Sequence, residues 1–103
     1  MARGDDAVIV RRARDGVHKF VATFPDLKRV AFGARGYSDY TKHGDRARML
    51  RYLTRHRAHE TWTRAGRHTP GFWSRWLLWS EPTLEAARAR TARVLRAPVI
   101  LRL

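Results

Sequence analysis

Five histidines are the first residues to test for chemistry. His56 and His59 stand three apart, with His43 and His68 on either side of them. A zinc site takes three or four ligands and draws on thiolates or carboxylates. The chain has no Cys, and Glu60 would leave the His56 side of a helix. Magnesium-dependent chemistry wants clustered carboxylates, and the acidic residues are dispersed: Asp5 and Asp6 at a terminus, Asp15 and Asp26 in turns, Asp39 and Asp45 near a helix start. Ser38 and Ser74 have no base at a recognisable spacing. Gly33-Ala34-Arg35-Gly36 is too short for a phosphate-cradling P-loop and lacks its Lys. These residues predict a non-enzymatic protein with no catalytic residue, no metal and no cofactor.

The chemistry on offer is cationic. Against 9 Asp and Glu stand 22 Lys and Arg, a formal net charge of +13 on 103 residues. Nearly all the basic residues are Arg, whose guanidinium pairs bidentately with phosphate and stacks on flat rings. An Arg-rich, Ala-rich composition is equally that of a GC-rich coding sequence, which explains the ratio of Arg to Lys but not the net charge. Such a surface attracts polyanions whatever its origin. Arg46, Arg48, Arg51, Arg55 and Arg57 fall in one helical stretch, with Arg35, Arg64 and Arg67 in the flanking turns. These eight are the expected contacts to nucleic acid, DNA favoured over RNA. They would touch phosphates with little base preference, since no recognition-helix pattern is present. A merely solvated basic face is the competing reading of the helix. Around Gly33 and Gly36, a backbone turn holding an anion at the helix start competes with a tight connection in which Asp39 caps and Tyr40 packs on the strands.

The elements that position these residues follow from periodicity. Ala7 to Val10, Lys19 to Phe24 and Arg29 to Phe32 are β-branched and aromatic, and the first two flank Asp15-Gly16, a dipeptide suited to a type I′ hairpin turn. Phe20, Ala22 and Phe24 share one face. The expectation is a three-stranded antiparallel meander over residues 7 to 33, which needs a cover for its apolar face. From Asp45, a plausible N-cap, Met49, Tyr52, Leu53 and His56 recur at helical spacing to about His59. Residues 60 to 69 read as a loop pinned by Trp62. A Trp-rich helix from Thr69 or Pro70 to Ser80 carries Phe72, Trp73, Trp76, Leu77 and Trp79 and should be central to the core. Arg75 within it needs a partner if buried, Asp39 and Glu60 being candidates, or it snorkels to water. A last helix runs from about Ser80–Thr83 to Arg96, with acidic residues in its first turn. The apolar tail 98–103 adds a strand, docks on a partner or is disordered.

The predicted architecture is α+β: a single small domain, the meander covered by two to three helices, with 1–6 and 98–103 as flexible or partner-docking ends. No apolar run is long enough for a signal peptide or a membrane span, so neither secretion nor a membrane partner is expected.

The blocks Phe32-Gly33-Ala34-Arg35-Gly36-Tyr37-Ser38-Asp39-Tyr40-Thr41-Lys42-His43, Gly71-Phe72-Trp73-Ser74-Arg75-Trp76-Leu77-Leu78-Trp79 and Pro82-Thr83-Leu84, in that order, carry a resemblance. Over roughly residues 17 to 90 the chain resembles a family of small, basic, uncharacterised proteins encoded by large double-stranded DNA viruses of algae and protists. The resemblance implies a setting in the virion interior or the infected host cell and brings no mechanism with it. In that setting the leading expectation is a DNA-binding virion protein. The alternative is a minor capsid or core component that meets acidic partner proteins and self-associates through its tail. A weaker third is an RNA-binding protein acting on host translation.

Overall fold

The computed structural model describes residues 6–103; Met1 to Asp5, most of the end expected to be flexible or partner-docking, lie outside the described residues. Strands β1 (Val8–Arg12), β2 (His18–Thr23) and β3 (Arg29–Ala34) pair antiparallel in sequence order. Their alternation buries Val8, Val10, Phe20, Ala22, Val30 and Phe32 on one face, with Phe20 directly opposite Phe32.

The first hairpin departs from a two-residue turn, and the hydrophobic pattern explains why. A turn at Asp15-Gly16 would oppose Arg14 to Val17 and hence Val10 to Val21. That one-residue slip would send Phe20 and Ala22 to the face away from Val10. The observed register sets Val10 against Ala22 and Arg12 against Phe20, so Val8, Val10, Phe20 and Ala22 face one way. The longer loop this requires is closed by Asp15, whose carboxylate accepts from the amides of Val17 and His18, both at 2.8 Å.

The sheet has four strands rather than three. β4 (Val99–Arg102) lies parallel to β1, with Val8 opposite Val99 and Val10 opposite Leu101, giving the order β3-β2-β1-β4. The tail thus takes the first of its three expected courses, since Val99 and Leu101 extend the buried Val8/Val10 face. A parallel strand needs a long crossover, and the helices between β3 and β4 supply it. The α+β class stands, with a mixed sheet in place of the purely antiparallel meander.

Four helices make that crossover: α1 (Tyr40–His43), α2 (Arg46–His56), α3 (Pro70–Trp73) and α4 (Leu84–Leu95). Each starts at a side chain that accepts from a free amide of the first turn, Asp39, Asp45, Thr69 and Thr83 respectively. α3 runs on as a wider π-helical turn over Ser74–Leu78, in which the Trp79 amide reaches back five residues to the Ser74 carbonyl at 3.0 Å. Such a turn brings residues five apart onto one side, and Trp73 and Leu78 are both buried. Trp73 is fully buried, its ring 5.7 Å from Phe32 and 5.9 Å from Phe24, so the Trp-rich segment sits against the sheet.

Candidate nucleic-acid interface

α2 is an amphipathic helix that carries no acidic residue and buries Met49 and Tyr52. At 100° per residue, Arg48, Arg51 and Arg55 lie within about 60° of arc, whereas Arg46 and Arg57 are each more than about 100° from Arg51. The five predicted arginines therefore split into a stripe of three and a flanking pair. All five are exposed, and among the described residues none of them is in an ion pair.

The acids are engaged elsewhere. Asp15 pairs with His18, Asp26 with Lys28, Asp39 with Lys19, Glu60 with His56, Glu85 with Arg88 and Glu81 with Arg90, while Asp45 caps α2. The His18 amide and imidazole, and then the Val17 amide, hold the Asp15 carboxyl far below the usual carboxylate range.

A cleft of about 440 Å³ opens beside the stripe, lined by Tyr37, Ser38, Arg48, Tyr52, Arg55 and Trp79 among others. Its two carboxylates are both engaged within the protein. Asp39, 1% exposed, lies 2.6 Å from Lys19 Nζ and also accepts from the Thr41 amide and hydroxyl. Glu60 does not leave the His56 side as expected: it sits 2.9 Å from His56 Nδ1, four residues away, and accepts from Trp62 Nε1 at 2.8 Å. Arg48 and Arg55 line the cleft without an ion pair among the described residues. A second concavity of about 240 Å³ shares Lys19 with the first and gathers Arg12, Arg35 and Lys42. Arg35 is anchored there by a 3.0 Å bond from Nη2 to the Ala13 carbonyl.

Arg64 and Arg67 lie apart from both, in a concavity of about 370 Å³ with Arg96. Each uses part of its guanidinium on backbone: Arg64 Nε on the Leu95 carbonyl at 2.8 Å and Arg67 Nη1 on the Arg64 carbonyl at 3.2 Å. The eight predicted residues thus occupy four places. Sequence reasoning missed Arg12 and Lys42, which only the strand register and α1 bring to Arg35, and it missed Tyr37, 74% exposed at the cleft mouth.

The Gly-rich block takes the tight-connection form. Asp39 caps α1, and the Tyr40 ring lies 6.2 Å from that of His43. Gly33, at φ +77°, leaves room for the Leu78 side chain, whose Cδ1 would stand 2.9 Å from an added Cβ. Arg75 finds neither expected carboxylate. Its Nη1 donates to the Trp79 carbonyl at 2.7 Å, and its guanidinium lies 4.4 Å from the centre of the Trp76 ring, with Arg90 5.1 Å from the same ring. Burial, and then the charge of Arg90, holds Arg75 down to about 10.

Among the described residues no group of three or more His, Asp or Glu is placed to hold a metal ion, and no helix is long and apolar enough to cross a membrane. Residues 8–56, from β1 through α2, match the profile of a family of unknown function (DUF5754). That span contains Arg35, Arg46, Arg48, Arg51 and Arg55 and stops short of Arg57, Arg64 and Arg67. No curated protein and no solved structure matches the chain.

Proposed function

We propose that the protein binds nucleic acid, duplex DNA in the first instance, through phosphate contacts with little sequence preference and without catalysis. The observation that supports this is the Arg48, Arg51, Arg55 stripe: three exposed guanidiniums on an acid-free helix, none ion-paired among the described residues. From Arg48 to Arg55 the stripe rises about 10 Å, matching the axial length of about three base pairs. Like charges this close repel one another, and a phosphate backbone relieves the repulsion.

The viral setting, inside the virion or the infected cell, rests on the resemblance of the sequence blocks alone. A second reading, an interaction module in a capsid or core, draws on β4, an edge strand of the sheet, since edges take strand addition by a second copy or a partner; there the Val99 carbonyl already accepts from Arg88 Nη1 at 3.2 Å.

Fluorescence anisotropy of a labelled duplex, titrated from about 0.05 to 0.3 M salt, tests the first reading. The logarithm of the binding constant should fall linearly with the logarithm of salt, and the Arg51→Ala/Arg55→Ala protein should show a slope flatter by about 1.8. Loss of binding near physiological salt, with the double variant matching the parent, would refute it.

A further inference from the structure

The loop between β3 and α1 places an exposed aromatic ring between two cationic concavities. Tyr37 is 74% exposed. It lines the larger cleft together with Arg48 and Arg55, and its neighbour Gly36 lines the smaller one with Arg12, Arg35 and Lys42. The two concavities share Lys19, so they adjoin, and the Lys19–Asp39 pair between them carries no net charge. Every cation left unpaired in them faces solvent, and the smaller concavity has no acidic lining residue.

We propose that this loop binds single-stranded nucleic acid, with one base stacked on Tyr37 and the flanking phosphates held by Arg48 and Arg55 on one side and by Arg12, Arg35 and Lys42 on the other. The inference deepens the nucleic-acid reading and rests on it, but concerns a different form of ligand from the duplex that suits the α2 stripe. An aromatic face flanked by backbone-tracking cations is the chemistry that recognises unpaired bases, because every base offers a flat face and a duplex does not expose it. The ring sits on a short connection fixed at both ends: the Tyr37 amide donates to the Ala34 carbonyl at 3.2 Å, and Asp39 is locked by Lys19 and Thr41. The backbone that carries the ring is therefore held in place. Single-stranded DNA and RNA share this chemistry, and parallel oligo-dT and oligo-rU arms tell them apart.

The test compares labelled single strands of about 20 nucleotides, a length that covers the site sizes of single-strand binders, with a blunt duplex of the same length. Tyr37→Ala should weaken single-strand binding by roughly tenfold, the size of one lost base stack, and leave duplex binding within about twofold. Tyr37→Phe should restore it. A 2-aminopurine base in the single strand should be quenched by the parent protein and not by Tyr37→Ala. The site is refuted if Tyr37→Ala weakens both ligands equally or neither, or if polyglutamate displaces the single strand as well as competing strand does. Absence of binding by strand and duplex alike would instead remove the nucleic-acid reading on which the inference rests.

Discussion

Tyr52 and Trp79 lie face to face, their ring centroids 4.4 Å apart and their planes 2° from parallel, and this contact fastens α2 to the Trp-rich segment. His56 stacks on Tyr52 at 4.2 Å and His43 lies 5.4 Å from Trp79, so the column joins α1, α2 and the segment that packs on the sheet. The arginine stripe thus stands on a helix fastened by aromatic packing beneath it.

Burial pushes the Tyr52 phenol well above its ordinary range, with Glu60 adding to the effect. The unfolded phenol ionises near pH 10 while the folded one stays protonated. The stability this contributes is fully present below about pH 10 and drains away as pH rises beyond it. Urea midpoints at about pH 8 and about pH 11 should fall more for the parent than for Tyr52→Phe; equal losses would show that the buried phenol does not govern alkaline stability.

Lys19 and Asp39 form an ion pair that is 10% and 1% exposed. Removing one member of a buried pair strands the other, at a cost of about 3–5 kcal/mol. Asp39→Ala should reach that range, since the cap of α1 goes with it, and Lys19→Met should fall near its lower end. The double variant should be much less destabilised than the two losses added together. Denaturant unfolding of the four proteins measures the coupling, and simple additivity would mean that the pair is not an energetic unit.

Much of this arrangement was legible from local pattern. The period-two alternation of Phe20, Ala22 and Phe24 and the capping position of Asp45 are signals carried by neighbours in sequence, and they specify strands and a helix start directly. The hairpin register was not so legible, because Asp15-Gly16 favours one loop locally while the shared face of Val10 and Ala22 selects another. β4 depends on Val99 meeting Val8 across almost the whole chain, a pairing that no local window contains. The four-residue α1 is too short to show a period. Arg75 turns to a backbone carbonyl and an indole face, neither of which marks itself as a partner by charge. The charge of the site could be read from the sequence, but its division could not, since gathering Arg12, Arg35 and Lys42 takes a strand end, a loop and a helix.

Among the described residues two other than Gly adopt left-handed backbone: Leu27 at φ +72° in the turn between β2 and β3, and Arg96 at φ +59° closing α4. Leu27 is 78% exposed, so its side chain returns little for the strain. Replacing either residue by Gly should stabilise the protein by about 1 kcal/mol. A thermal midpoint that rises for Leu27→Gly and for Arg96→Gly would bear this out; a fall in both would place their side chains in contacts that outweigh the backbone.

Gly66 sits where the loop after α2 folds back on itself. A Cβ added there would stand 2.0 Å from the Thr61 carbonyl oxygen, backbone that cannot swing aside. Gly66→Ala should destabilise by about 1–3 kcal/mol or more through overpacking, and it should loosen Trp62, whose carbonyl accepts from Trp76 Nε1 at 2.7 Å. Denaturant unfolding and tryptophan emission read both effects; unchanged stability would show that this loop relaxes freely.

The split of the arginines around α2 makes the sharpest demand on the duplex-binding reading. Arg48, Arg51 and Arg55 share an arc that one phosphate backbone can meet, while Arg46 and Arg57 project from the other flank. If the stripe is the contact face, Arg48→Ala/Arg51→Ala/Arg55→Ala should flatten the salt dependence of duplex binding by about 2.7 in log–log slope, at about 0.9 per lost phosphate contact. Arg46→Ala/Arg57→Ala should change the slope by far less per residue, although it removes charge from the same helix. All five side chains are exposed, so neither variant disturbs the core, and circular dichroism should be unchanged in both. Equal effects per arginine would mean that the protein attracts DNA through diffuse net charge, and that α2 presents no oriented face to it.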